Sequence, residues 1–247
     1  MRFDVVTLFP ELFEPFLASG VTRRAYETRM VDVRVWNLRD FAEGNYRRVD
    51  DRPFGGGPGM VMLAEPLARC IAAVRGQRTD AAPVVLFSPV GERLDHAGVE
   101  RWSASQGGIL LCGRYEGIDQ RFIDTHVDVQ LSLGDFVLSG GEIPAMALLD
   151  AVARLQPGVL NDAGSHQEDS FNPALDGLLD CPHYTRPEEW NGRKVPAELL
   201  SGHHANIEAW RRRQRLATTA RHRPDLLEAA RAAGRLTGAD EDFLAGL

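Results

Sequence analysis

The chain has 247 residues, 44% apolar and 26% charged, with 28 Lys+Arg against 35 Asp+Glu and so a net charge of −7. That balance fits a soluble globular chain large enough for one domain or two; no apolar run nears the roughly 18–20 residues of a membrane span, and the charged start Met1-Arg2-Phe3-Asp4, without a small-residue cleavage pattern, gives no expectation of a secretory leader. Three scattered cysteines (Cys70, Cys112, Cys181) exclude a disulfide scaffold and suit a reducing, cytoplasmic compartment, while the negative total taken alone disfavours a polyanionic partner.

In chain order, β-branched runs of strand length fall at Phe3–Leu8, Val31–Trp36, Pro83–Phe87, Ile109–Cys112 and Val127–Leu131. Helical patterns separate them at Glu11–Leu17, Leu63–Val74, Leu94–Ser103 and Glu142–Leu155. This alternation predicts an α/β fold with a largely parallel sheet covered on both faces and a ligand site at the carboxyl ends of its strands. Gln156–Pro173 is dense in Gly, Asn, Asp, Ser and Pro without periodicity and reads as a linker. Beyond it the patterns are helical only, at Ala205–Ala217, Pro224–Ala233 and Asp240–Leu247, with Pro224 suited to a first helical turn. The predicted organisation is an α/β domain over 1–156, a linker over 157–173 and a small all-helical domain over 174–247.

The charge is unevenly spread. From His183 onward there are 11 Lys+Arg against 9 Asp+Glu, and before it 17 against 26. Arg211, Arg212, Arg213, Arg215, Arg221 and Arg223 share the stretch His203–Arg223 with Glu208 alone among acids. Screening removes distant charge within about 10 Å, so a phosphate backbone meets this local cluster rather than the total.

Three glycine-bearing segments stand apart from the core patterns. Phe54-Gly55-Gly56-Gly57-Pro58-Gly59-Met60 lacks the Gly-Lys-Ser/Thr of a Walker loop and the dinucleotide-binding spacing; it reads equally as a ligand loop or a flexible turn. Cys112-Gly113-Arg114-Tyr115-Glu116-Gly117-Ile118-Asp119 follows a predicted strand and opens a helix, either as a site loop or as a polar loop capped by Asp119. Leu133-Gly134-Asp135-Phe136-Val137-Leu138-Ser139-Gly140-Gly141-Glu142 feeds a helix through Ser-Gly-Gly, either as main-chain ligand donors or as a tight turn. Arg154 lies off the apolar stripe of its helix and reads as an ion-pair partner of Asp150 or as a functional cation. Asp169 lies among linker acids, which are ordinary there. Cys181 and His183 have no second ligand pair at zinc spacing, so no transition metal is assigned.

Together with Leu8-Phe9-Pro10-Glu11, Asp50-Asp51-Arg52-Pro53, Glu168-Asp169-Ser170-Phe171 and Leu179-Asp180-Cys181-Pro182-His183-Tyr184-Thr185-Arg186-Pro187, these segments resemble, in order, the bacterial tRNA (guanine-N1)-methyltransferases. The resemblance runs from residue 8 to about residue 217. It implies the SPOUT-type α/β knot, a deep trefoil knot built from Leu86–Gly91, Gly113–Gly117 and Leu133–Leu138, in an obligate homodimer with its active site at the subunit interface. It further implies methyl transfer from S-adenosylmethionine to N1 of guanosine 37 of tRNA, 3′ to the anticodon and preceded by guanosine, with Mg²⁺ used by the family.

By the same resemblance Asp169 is the general base, Arg154 stabilises O6 and Glu116 lies near the donor. The donor would be held by Leu86, Phe87, Ser88, Pro89, Gly113, Tyr115, Glu116, Leu133, Gly134, Asp135, Phe136, Val137, Leu138, Gly140, Gly141 and Pro144. The tRNA would meet Asp50, Arg52, Gly55, Gly56, Gly57, Gly59, Arg114, Ser165, Asp180, His183, Arg186, Arg211, Arg212, Arg213 and Arg215. Phe136 departs from a common tyrosine, and Asn172–Asp176 is longer than usual. Two other classes are weighed: a non-enzymatic RNA binder, which has no use for a base and an O6 cation together, and a phosphotransferase, which the incomplete glycine loop disfavours.

Overall fold

A computed structural model describes residues 1–160 and 166–247. Ser165, expected to meet tRNA, lies outside the described residues. The chain divides into two compact units, Met1–Leu160 and Asn161–Leu247. Among the described residues no helix is long and apolar enough to cross a membrane.

The first unit runs β1 (Arg2–Thr7), α1 (Phe13–Leu17), α2 (Arg23–Glu27), β2 (Asp32–Asn37), β3 (Asp50–Asp51), β4 (Val61–Met62), α3 (Ala64–Gly76), β5 (Val84–Arg93), α4 (His96–Ser103), β6 (Gly107–Leu111), α5 (Gln120–His126), β7 (Val129–Ser132) and α6 (Glu142–Arg154). Five strands form one sheet in the order β2-β1-β6-β5-β7, with every pairing parallel. Successive side chains of a strand face opposite ways, and here both faces are buried. Phe3, Val5, Val85 and Leu110 pack with Leu148, Leu149 and Val152 of α6 on one side. Val6, Val84, Ile109 and Leu111 pack with Leu67, Ile71 and Val74 of α3 on the other. The near-continuous apolar runs of the sequence are the mark of such a sheet.

β5 outruns its expected end at Phe87. Phe87 and Glu92 both pair with Leu131, so Ser88–Gly91 bulges out of the ladder before the strand resumes. α5 starts at a side-chain cap, Asp119 accepting from the Arg121 N–H at 3.0 Å.

The second unit contains β8 (Glu189–Trp190), β9 (Arg193–Lys194), α7 (Ala197–Leu200), α8 (His204–His222), α9 (Pro224–Ala232) and α10 (Gly238–Ala245). The all-helical expectation fails at the antiparallel β8–β9 hairpin. Its turn, Asn191-Gly192, has both residues at positive φ (52° and 72°), as a tight hairpin requires; two-residue strands are too short to show alternation. The structureless linker also fails from His166 onward. Asn172 Nδ2 donates to the His166 carbonyl, the Asn172 side chain accepts from the Ala174 N–H, and the Phe171 N–H donates to Leu178 O at 2.9 Å. The Gly, Asn and Pro density there encodes turns.

Candidate functional site

A cavity of about 280 Å³ opens where the chain leaves the paired part of β5 and the carboxyl ends of β6 and β7. Its size is at the lower edge of the roughly 300–1,000 Å³ usual for small-molecule sites. Leu86, Phe87, Ser88 and Pro89 of β5 form one wall; Gly113, Tyr115 and Glu116 form a second. Leu133, Gly134, Phe136, Val137 and Leu138 form a third, and Gly140, Gly141 and Pro144 close it at the start of α6. Asp135, expected among them, turns its side chain to solvent at the loop tip, 95% exposed and 3.2 Å from Arg93, and is not among the lining residues. Ile118, Ile123 and Leu131 also line the cavity. As apolar residues in periodic segments they carry no sequence signal that separates them from core.

Main-chain approach shapes this site. A Cβ on Gly141 would come within 2.7 Å of Cys112 Cα, and the Gly141 N–H donates to Gly113 O at 3.0 Å. Only glycine lets the start of α6 sit against the loop after β6. Tyr115 adopts a left-handed φ of 60° at the tip of that loop. Burial, then the Asp50 charge, raises the pKa of its hydroxyl, with Arg39 acting in the opposite sense. Cys112 beneath the loop is no nucleophile: burial, then the Glu142 charge, holds its thiol well above the ordinary range.

The glycine-rich segment 55–59 reaches the same rim. The Glu116 N–H donates to Met60 O and the Met62 N–H to Gly117 O, both at 2.9 Å. Gly59 packs against the Glu116 side chain so closely that a Cβ would lie 2.3 Å from its Oε1. Asp50 is half-buried in β3, Arg52 is exposed, and Gly55, Gly56 and Gly57 are exposed at positive φ beside a fully exposed Phe54. Arg114 does not project to solvent: its guanidinium turns inward to Glu142, Ser139 O and the Phe9 ring. Arg154 ends α6 in the first unit and Asp169 lies in the second; both are half-buried.

In the second unit the expected RNA contacts separate by helix face. Arg213 is exposed, and Arg211 is half-exposed beside Glu208 at 2.8 Å. Arg212 instead bridges Asp176 at 2.7 Å and Asp240 at 3.0 Å. Arg215 is buried and lies 3.4 Å from Asp180. The helical period sets Arg212, Arg215, Leu216 and Thr219 on the inward face of α8. His183 and Arg186 are exposed. Trp210 packs edge-on against Tyr184, with ring centroids 6.1 Å apart.

Ligand atoms of Asp180, Cys181 and His183 lie within 4.8 Å of one another. Burial works against the Asp180 carboxylate, but the Cys181 N–H and His183 outweigh it and hold its pKa below the usual range. Burial and Asp180 push the Cys181 thiol up. With His183 and Arg215 beside the Asp180 carboxylate, this group is an ion-pair network.

Residues 1–229 match the family described as tRNA (Guanine-1)-methyltransferase TrmD. The chain is 79% identical to the tRNA (guanine-N(1)-)-methyltransferase of Paracidovorax citrulli (strain AAC00-1), over 100% of this chain and 98% of the relative. It is 74% identical to that of Polaromonas sp. (strain JS666), over 100% and 97%, and 74% identical to that of Albidiferax ferrireducens, over 99% of each.

Proposed function

This chain belongs to the tRNA (guanine-1)-methyltransferase family and is a methyltransferase, and from that premise we propose that it transfers the methyl group of S-adenosylmethionine to N1 of guanosine 37 in tRNA, where another guanosine precedes it. The observation that carries this reading is the convergence of the bulged part of β5 and the loops after β6 and β7 on one cavity at the end of a parallel sheet. S-adenosylmethionine fits its chemistry: main-chain groups at Gly113, Gly140 and Gly141 suit the adenosine, Leu86, Ile118 and Leu138 suit a flat base, and the Glu116 carboxylate suits a cationic donor. When bound, the donor supplies an electrophilic methyl on a sulfonium. The loops supporting this site are those that form the trefoil knot in the SPOUT fold, which we assign to the first unit.

The residues then act on the guanine. N1 is a poor nucleophile until its proton leaves, and Asp169 is the carboxylate that takes it. Proton loss pushes charge onto O6, which the Arg154 guanidinium stabilises while fixing the ring plane. Asp50, Arg52 and the 55–59 loop stand at the rim for the target nucleoside, and Arg186, Arg211 and Arg213 for phosphates. The exposed apolar Phe136, Val137, Leu138 and Ile143 beside the cavity favour a homodimer with the site at the subunit interface. Mg²⁺ prefers an all-oxygen ligand set, which the Asp180–Cys181–His183 group does not offer.

Asp169→Asn tests the assignment by single-turnover methyl transfer to unmodified tRNA. A loss of about 10²–10⁴-fold with donor affinity retained is expected; near-normal turnover removes Asp169 as the base.

A further inference from the structure

We infer that Arg114 and Glu142 form a buried clamp that sets the shape of the donor cavity, so that Arg114 is a positioning residue for the methyl donor and not a tRNA contact. The inference rests on the donor reading of the cavity. Three separate elements meet at this pair. Thr7 at the end of β1 donates its hydroxyl to Glu142 Oε1 at 2.8 Å. Glu142, the first residue of α6, is 1% exposed, and its Oε2 lies 2.9 Å from Arg114 Nε. That contact is a charge pairing, off the line of a hydrogen bond. Arg114, 19% exposed on the loop after β6, also donates Nη1 to Ser139 O at 3.2 Å and stacks 4.4 Å from the centre of the Phe9 ring.

The guanidinium therefore ties the loop after β6 to the Ser139–Gly141 turn, and both of these line the cavity. A carboxylate at a helix N-terminus is favoured by the helix dipole. A buried ion pair is nonetheless a poor device for stability alone, because packed apolar residues serve as well or better. What the pair supplies is a fixed spacing between two cavity walls. Gly140 bears on the same point from a third direction: a Cβ there would lie 2.2 Å from Arg114 Nε and 2.6 Å from Glu142 Oε2. The glycine leaves exactly the room that the pair occupies. An arginine reaching outward for RNA would need no such space and no buried counter-charge.

The experiment measures S-adenosylmethionine binding by calorimetry, KM for donor and for tRNA separately, and thermal midpoints, in the full-length protein. Wild type must bind the donor; if it does not, the donor reading of the cavity falls first. With that established, Arg114→Met and Glu142→Gln should each raise the donor Kd and KM about tenfold or more while the KM for tRNA stays within about twofold. The double variant should be no worse than the poorer single one, as expected for residues acting through one contact, and Arg114→Lys should recover part of the loss of Arg114→Met. Should Glu142→Gln fail to fold, Gly140→Ala presses on the pair without altering charge and should reproduce the donor-specific rise. Unchanged donor affinity in Arg114→Met overturns the inference. So does a weakened tRNA affinity with a salt slope reduced by about one in that variant, the signature of a lost phosphate contact.

Discussion

The two compact units are held together by different means. The first buries an apolar cluster on each face of a five-stranded sheet and keeps most of its ion pairs at the surface, with a buried exception at Asp4, which accepts from Arg2 and Arg78 at 2.7 Å and from Trp36 Nε1 at 2.8 Å. The second packs one small cluster of buried apolar residues, Leu178, Leu216, Leu227 and Ala230, and leans on arginine–aspartate pairs around α8. Small domains bury too little surface to be held by apolar packing alone. The same residue type thus does two jobs. In the first unit arginine closes a sheet end and a cavity; in the second it stands in for core.

The largest expected effect strikes the first unit. Asp4→Ala removes one of the two carboxylates that hold Arg78, leaving Asp80 at 2.7 Å, and takes the acceptor from Trp36 Nε1; it should cost about 2–3 kcal/mol in denaturant unfolding. A loss below about 1 kcal/mol would mean that the first unit needs charge as little as a purely apolar domain does. The second unit should be the acid-sensitive one. The Arg212 guanidinium, with the Thr237 N–H, overcomes burial to hold the Asp240 pKa at about 2. Since the unfolded value is about 3.9, the folded state prefers the charged form. That stability is fully present above about pH 4 and is lost as pH falls towards 2, amounting to about 2 kcal/mol. Trp190 and Trp210 report on this unit by fluorescence; Asp240→Asn should flatten their acid transition, and an unaltered transition would shift the acid sensitivity to other groups. The smallest effect sharpens the contrast between faces of α8: Arg213→Gln should change stability by no more than about 0.5 kcal/mol while lowering the salt slope of tRNA binding by about one.

What was legible in the sequence follows from where the information resides. β6 announces itself because a strand buried along its whole length is apolar without interruption, and β1 does so with Asp4 as its one charged interior residue. The loops after β6 and β7 are legible because Gly113, Tyr115, Gly140 and Gly141 have no packing reason to occur together. The continuation of β5 to Arg93 is not, since Pro89-Val90-Gly91 signals a stop and pairing resumes only because Leu131 is there to receive it. Arg212 and Arg215 read as phosphate contacts because nothing local distinguishes an arginine facing RNA from one facing Asp240 or Asp180. Glu142 shows the same limit from the other side. In sequence it is a helix start with no role of its own, and its burial brings it against Thr7, 135 positions away, and Arg114.

The strand order has a further consequence on the ribosome. β1 leaves the exit tunnel first, yet its partner on one edge is Gly107–Leu111. At about 5–20 residues per second, the roughly 100 intervening residues take about 5–20 s to synthesise. Throughout that interval Phe3, Val5 and Val6 lack the neighbour that buries them, so the nascent chain offers an open strand edge to chaperones. The cavity is complete only once Pro144 has emerged, which confines any help from a bound ligand to the last part of synthesis.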